Sequence, residues 1–276
     1  SEESLMKTLR VNDYDMAYLD IGQGSPLVCV HGSLNDFRAW MAVMSPLSSN
    51  HRLIIPSLRH YFPEQWDGQG GKFKMAQHVD DVIAFVEGLG LGPVDLLGHS
   101  RGGHLAFRMA LKRPDLIRKL VLAEPGGTLE DALMPDNADD GAPAAGSRAL
   151  VAQASEKIAA GDLEGGLRAF IDGINGPGAW DVLPAADRQM REDNAYTLLA
   201  QIDEGRQPYT RAEAEAVSLP TLFVGGADTT GLLPIVLRAL AAHVPGAKTV
   251  IIPDAGHSMF RQQPKAFCDA VLPFLD

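Results

Sequence analysis

Along this chain, short apolar runs alternate with longer stretches in which apolar residues recur every three or four positions. Tyr14–Ile21 alternates between apolar and polar residues and predicts a half-buried strand. Leu27–Val30, Arg52–Ile55, Val94–Leu97, Leu120–Leu122, Thr221–Val224 and Thr249–Ile252 are compact and mostly apolar. They predict strands covered on both faces. Between them lie helix predictions over about Phe37–Pro46, Met75–Leu89, His104–Lys112, Leu232–His243 and Pro264–Leu275. In Met75–Leu89 the apolar positions Val79, Val82, Ile83 and Val86 share a face. Gly88, Gly90 and Gly92 then offer the left-handed residue that ends helices. Alternating strands and helices imply an α/β fold. Its mostly parallel open sheet is crossed by right-handed connections and covered by helices on both faces.

The rhythm stops between residues 127 and 216. This segment is Ala-rich and lacks β-branched runs. It predicts helices over Ser155–Ile171 and Ala185–Ile202, with a loop over Asp136–Ala145. Of the net charge of −11, it carries 17 acidic and 7 basic residues. The division expected is a core of 1–126 and 217–276 interrupted by a helical insertion, 127–216. A length of 276 residues suits one such domain. With 46% hydrophobic and 21% charged residues, disordered and fibrous readings are excluded. An acidic chain without a basic face excludes nucleic acid and anionic membrane surfaces as partners. No apolar run reaches the roughly 18 residues of a membrane span. Cys29 and Cys268 sit in apolar surroundings, and the first residues, Ser1-Glu2-Glu3-Ser4, carry no signal-peptide pattern. The expectation is a cytoplasmic protein with two buried free thiols.

Chemistry concentrates where strands end. Gly98-His99-Ser100-Arg101-Gly102 is a G-x-S-x-G pattern between a predicted strand and a predicted helix. Such a sharp turn needs small neighbours and lifts the serine hydroxyl above the sheet, at a helix N-terminus that favours developing negative charge. A nucleophilic serine needs a base. His257, in Asp254-Ala255-Gly256-His257 after the last strand, lies on the same sheet edge. His31 and His99 flank motif positions and read as structural. The base needs an orienting carboxylate, and two acids compete. Asp228, ending Gly225-Gly226-Ala227-Asp228, is favoured, with Glu124 after the strand 120–122 as the alternative. The backbone N–H groups of Ser33 and Arg101 are the expected oxyanion donors. There is no zinc-ligand spacing, P-loop or dinucleotide fingerprint, so neither metal nor cofactor is expected.

With these residues the chain resembles the α/β-hydrolase superfamily, in its capped, cofactor-free serine-hydrolase branch. The landmarks are Val30-His31-Gly32-Ser33, the serine motif, Gly225–Asp228 and Ala255-Gly256-His257. The resemblance implies a helical cap inserted after the sixth strand. It also implies a triad of Ser100, Asp228 and His257, which follow the superfamily's chain order. Serine in place of aspartate at the nucleophile argues against the chemistry of haloalkane dehalogenases and epoxide hydrolases. The implied activity is hydrolysis of a small ester or lactone. A C–C bond hydrolase on a diketone is the alternative, and a ligand-sensing protein with negligible turnover stands third. Two departures bear on specificity. The loop Ser57–Trp66 is bulkier than the glycine-rich turn usual there, and Arg101 follows the nucleophile where a small or apolar residue is usual. Phe37, Trp40, Trp66 and Trp180 are the pocket-wall candidates, and the acidic cap is expected to repel anionic substrates.

Overall fold

The computed structural model describes residues 6–136 and 147–276. The acidic first residues and most of the loop predicted over 136–145 lie outside the described residues. Eight strands form one sheet: β1 (Met6–Val11), β2 (Tyr14–Ile21), β3 (Ser25–Val30), β4 (His51–Pro56), β5 (Val94–His99), β6 (Ile117–Ala123), β7 (Thr221–Gly226) and β8 (Lys248–Ile252). Their order across the sheet is β1-β2-β4-β3-β5-β6-β7-β8. β2 pairs antiparallel with β1 and β4, and all pairs from β4 to β8 are parallel. β5 and β7 are buried along their whole length, as the unbroken apolar runs predict. β1 escaped prediction because it is an edge strand. Its sequence, Met-Lys-Thr-Leu-Arg-Val, is mostly exposed and polar.

Helices cover both faces: α1 (Met41–Ser48), α2 (Met75–Leu89), α3 (Arg101–Lys112), then α10 (Leu232–His243), α11 (Met259–Gln262) and α12 (Pro264–Leu275). Between β6 and β7 the insertion supplies α4 (Arg148–Ala159), α5 (Leu163–Asn175), α6 (Ala179–Val182), α7 (Ala185–Asp193), α8 (Ala195–Gln201) and α9 (Arg211–Ala216). The helix expected over Phe37–Pro46 is a 3-10 turn, Phe37–Trp40, followed by α1. The two long helices expected in the insertion are broken. Gly161 takes a left-handed φ of 93°, and Asp162 caps α5 by accepting from the Gly165 N–H. Asn194 leaves helical geometry between α7 and α8, and its amide donates to Asp36 of the core at 2.8 Å.

Two apolar layers sandwich the sheet, and the insertion has a core of its own. Val151, Ile158, Leu167, Phe170, Trp180 and Leu198 pack there around Leu34. Asn194 also accepts from the Phe62 N–H at 2.7 Å, so the insertion is tied to the core by paired polar groups. Of its described acids only Glu204 is buried. The rest face water or its margin. Both cysteines are free and buried. Among the described residues no helix is long and apolar enough to cross a membrane.

Candidate active site

The register of the parallel strands sets the site. Val30 on β3 is level with Gly98 on β5, His99 with Ala123 on β6, and Ala123 with Val224 on β7. The residues just beyond these partners therefore meet at one edge. Ser100 sits between β5 and α3 with φ 56° and ψ −120°. A side-chain residue rarely adopts this conformation, and here the turn imposes it. The two flanking glycines are required by contact. A Cβ on Gly98 would stand 2.4 Å from the Gly102 carbonyl oxygen, and one on Gly102 would stand 2.4 Å from both the Val30 and His31 oxygens. Ser100 accepts at its own carbonyl from the N–H groups of Gly103, His104 and Gly126, which hold the turn rigidly.

His257 Nε2 lies 3.0 Å from Ser100 Oγ, and its Nδ1 lies 2.8 Å from Glu124 Oε1. With Nδ1–H donating to the carboxylate, Nε2 is left to accept the hydroxyl proton. Glu124 is 1% exposed, and its other oxygen accepts from the Gly226 N–H at 2.7 Å and the Thr229 hydroxyl at 2.8 Å. The favoured acid, Asp228, is therefore corrected. It is exposed, and only its backbone N–H touches the histidine loop, donating to the Ala255 oxygen at 2.9 Å. Two features explain the exchange. Glu124 directly follows the register partner of His99, whereas Asp228 lies beyond the end of β7. The end of β7 meets the histidine loop backbone to backbone: a Cβ on Gly226 would stand 2.2 Å from the Gly256 oxygen.

Neighbouring histidines serve the frame. His99 Nε2 donates to the His257 carbonyl at 2.7 Å, and burial, with the His257 charge second, holds its pKa well below the usual value. His31 donates from Nδ1 to the Gly32 oxygen and accepts at Nε2 from the Leu58 N–H. Burial lowers its pKa to about 4, so it stays neutral and fixes the loop that carries Ser33. That loop abuts Ser100, since a Cβ on Gly32 would lie 3.0 Å from Ser100 Cβ. The backbone N–H of Arg101 begins α3 and has no acceptor within the helix. The Arg101 side chain turns away into the core. It is 1% exposed, donates from Nε to Glu204 at 2.7 Å and from a terminal nitrogen to His78 Nδ1 at 2.9 Å. Burial pushes the Glu204 carboxyl up, but Arg101 and Arg206 outweigh it and hold the group below the usual range.

A cavity of about 240 Å³ opens over Ser100 and His257, between the sheet edge and the insertion. Ser33 lines it, with Leu150, Phe170, Ile171 and Ile174 of the insertion on the far side. None of the four aromatic candidates does. Phe37 packs edge-on against Phe62, and Trp40 stacks on Phe260. Trp66 stacks between His60 and Phe73, and Trp180 is buried in the core of the insertion. Phe37, Trp40 and Trp180 gain from burial the area that a wall position would leave open, and Trp66 is half-buried in its stack. Among the described residues the acidity of the insertion does not extend to the lining of the cavity. Its charged lining is Arg191, Arg206 and Arg261, and no Asp or Glu among the described residues joins them. Sequence reasoning missed these arginines because each stands singly, apart from the others in the chain and outside any motif. Among the described residues no cluster of His, Cys, Asp and Glu is arranged to hold a metal ion.

The family model for the alpha/beta hydrolase fold matches residues 25–264. This chain belongs to that family. The hydrolase is 24% identical over 268 residues to a putative 2-succinyl-6-hydroxy-2,4-cyclohexadiene-1-carboxylate synthase of Bacillus subtilis, covering 90% of this chain and 89% of the relative. It is 26% identical to a putative non-heme bromoperoxidase, BpoC, of Mycobacterium tuberculosis, over 94% and 97% of the two chains. Among solved structures it is similar to the enol-lactonase from Burkholderia xenovorans LB400. That superposition has a TM-score of 0.78 at 19% identity and covers 98% and 99% of the chains. The hydrolase thus shares its fold across nearly its full length with proteins of varied chemistry.

Proposed function

We propose that this α/β-fold hydrolase cleaves a small carboxylic ester or lactone through an acyl-enzyme on Ser100. The observation that carries this reading is the unbroken relay from Ser100 Oγ through both nitrogens of His257 to Glu124. His257 takes the hydroxyl proton as Oγ attacks the carbonyl carbon. Glu124 fixes the imidazole tautomer and stabilises the imidazolium that forms. The N–H groups of Ser33 and Arg101 receive the negative charge on the carbonyl oxygen; each such donor typically contributes about 3 kcal/mol. His257 then returns the proton to the leaving alcohol. A water, deprotonated by the same nitrogen, releases the acid. Residues 127–216 act as the cap that supplies the far wall of the cavity and excludes bulk water.

The test uses a fluorophosphonate probe, followed by peptide mass analysis and p-nitrophenyl acetate kinetics. The expected result is one label per chain, on Ser100, with loss of turnover on labelling. Labelling elsewhere, or turnover that survives Ser100→Ala, overturns the reading. The diketone alternative predicts the reverse preference, with C–C cleavage outpacing ester cleavage on the same enzyme.

A further inference from the structure

The cationic wall of the cavity has a consequence for substrate choice that rests on the serine-hydrolase reading above. Arg206 is ion-paired, its Nε donating at 2.6 Å to Glu204, a carboxylate that it shares with Arg101. Arg191 and Arg261 are not. Arg191, on α7, is 4% exposed; its Nε has no hydrogen-bond partner, and a terminal nitrogen reaches only the Asp187 backbone oxygen at 3.3 Å. Arg261, on α11 just after His257, donates to Asn35 Oδ1 at 2.8 Å and to Ser258 Oγ at 2.9 Å, both uncharged. Among the described residues no carboxylate lies within 4.0 Å of either guanidinium. The acids around them are engaged or set back. Asp36 is held by Arg38 and Asn194, Asp193 pairs with Arg38, and Asp187 bears on both arginines without forming an ion pair with either. Burial, with the charge of Arg191 second, lowers the Arg261 pKa to about 9, and burial lowers that of Arg191 to about 10.

A buried cation and a half-buried one, neither touching a counter-charge, are costly to a fold unless an anion shares their site. Here both border an open cavity that also contains the nucleophile. A guanidinium presents a planar fork that fits a carboxylate with two parallel hydrogen bonds. The rest of the lining mixes apolar side chains, among them Phe170, Ile171 and Leu232, with uncharged polar ones such as Asn35, Asn175 and Thr230. We propose that Arg191 and Arg261 form an anchor for a substrate carboxylate, so that the enzyme selects small esters or lactones that carry a second, ionised carboxyl group. Among the described residues no acid of the insertion lines the cavity, and the exposed ones act through solvent, where salt screens them.

The test compares monomethyl glutarate with methyl pentanoate, which differ in little but the charge, by pH-stat at low salt. The expected selectivity in kcat/KM for the anion is at least roughly tenfold, expressed mainly in KM. It collapses toward unity in Arg191→Gln and Arg261→Gln and is partly kept in Arg261→Lys. A wild-type ratio near or below unity, or a ratio that survives both Gln variants, overturns the anchor. Calorimetry with glutarate on Ser100→Ala separates this from failure of the hydrolase reading. Glutarate binding that weakens at least roughly tenfold in the added Arg261→Gln change upholds the anchor even if neither ester is cleaved. Absence of glutarate binding overturns the anchor even if methyl pentanoate is cleaved through Ser100.

Discussion

Replacing Glu124 with Gln tests the site at its least expected position, and its cost follows from the bonds. One oxygen of Glu124 faces two donors, the Gly226 N–H at 2.7 Å and the Thr229 hydroxyl. A glutamine there keeps its carbonyl toward the Gly226 N–H, since only an acceptor satisfies that group. Its NH₂ then faces His257 Nδ1, which must accept, so the ring proton moves to Nε2. That nitrogen can no longer take the proton of Ser100. Reversing the amide to restore the active tautomer leaves a buried N–H unpaired, at about 1–3 kcal/mol. The variant also loses the negative charge beside the imidazolium, about 4 kcal/mol at roughly 4 Å and an effective dielectric of about 20. Together these amount to about 5–7 kcal/mol of barrier, or roughly four to five powers of ten in kcat. The assay is the initial rate on p-nitrophenyl acetate, with circular dichroism melting as the control for folding. Asp228→Asn, at an exposed site without a side-chain bond to His257, should change kcat by less than about threefold. A small loss in Glu124→Gln together with a large one in Asp228→Asn would refute the assignment and return the acid's role to Asp228.

Other outcomes follow from the same packing. Ser100→Ala should remove turnover to the residue left by the oxyanion donors and binding, with the melting temperature nearly unchanged. Gly102→Ala places a Cβ on two backbone oxygens; it should cost about 3 kcal/mol or more, seen as a Tm drop of roughly 6–12 °C. Glu204→Gln should destabilise more than Arg101→Met in urea titrations. The first strands two guanidinium groups, one buried and one half-buried, that share one carboxylate, and the second leaves Glu204 paired with Arg206. Acid should weaken the fold before carboxylates titrate. His31 is neutral in the fold, with a pKa of about 4, whereas unfolded histidine takes a proton near pH 6.5. The unfolded state therefore binds more protons as pH falls through that window, and stability present above it is lost by about 3 kcal/mol from His31 alone. A urea midpoint that stays flat between pH 7 and 4.5 would contradict this.

The sequence by itself determined the fold class, the strand that leads into Ser100, the histidine that faces it, and where helices replace the strand pattern. These depend on local signals: unbroken apolar runs, glycines where backbones touch, and a segment whose strand pattern stops. It was also enough to narrow the acid to Asp228 and Glu124, because both end strands at the same sheet edge. Only the tertiary structure shows that Glu124 is the one hydrogen-bonded to His257. The choice depends on register across β5, β6 and β7 and on the backbone contact between β7 and the histidine loop, and neither leaves a mark on composition or spacing. The aromatic residues were misplaced for a related reason. A tryptophan in a wall and one in a core have the same neighbours in sequence, and burial decides between them. The cavity's charge was hidden most completely. The segment 127–216 is strongly acidic in sum, yet none of its described acids lines the cavity, whereas Arg191 does. Net charge adds over all side chains, whereas a binding site feels only those that the fold turns toward it.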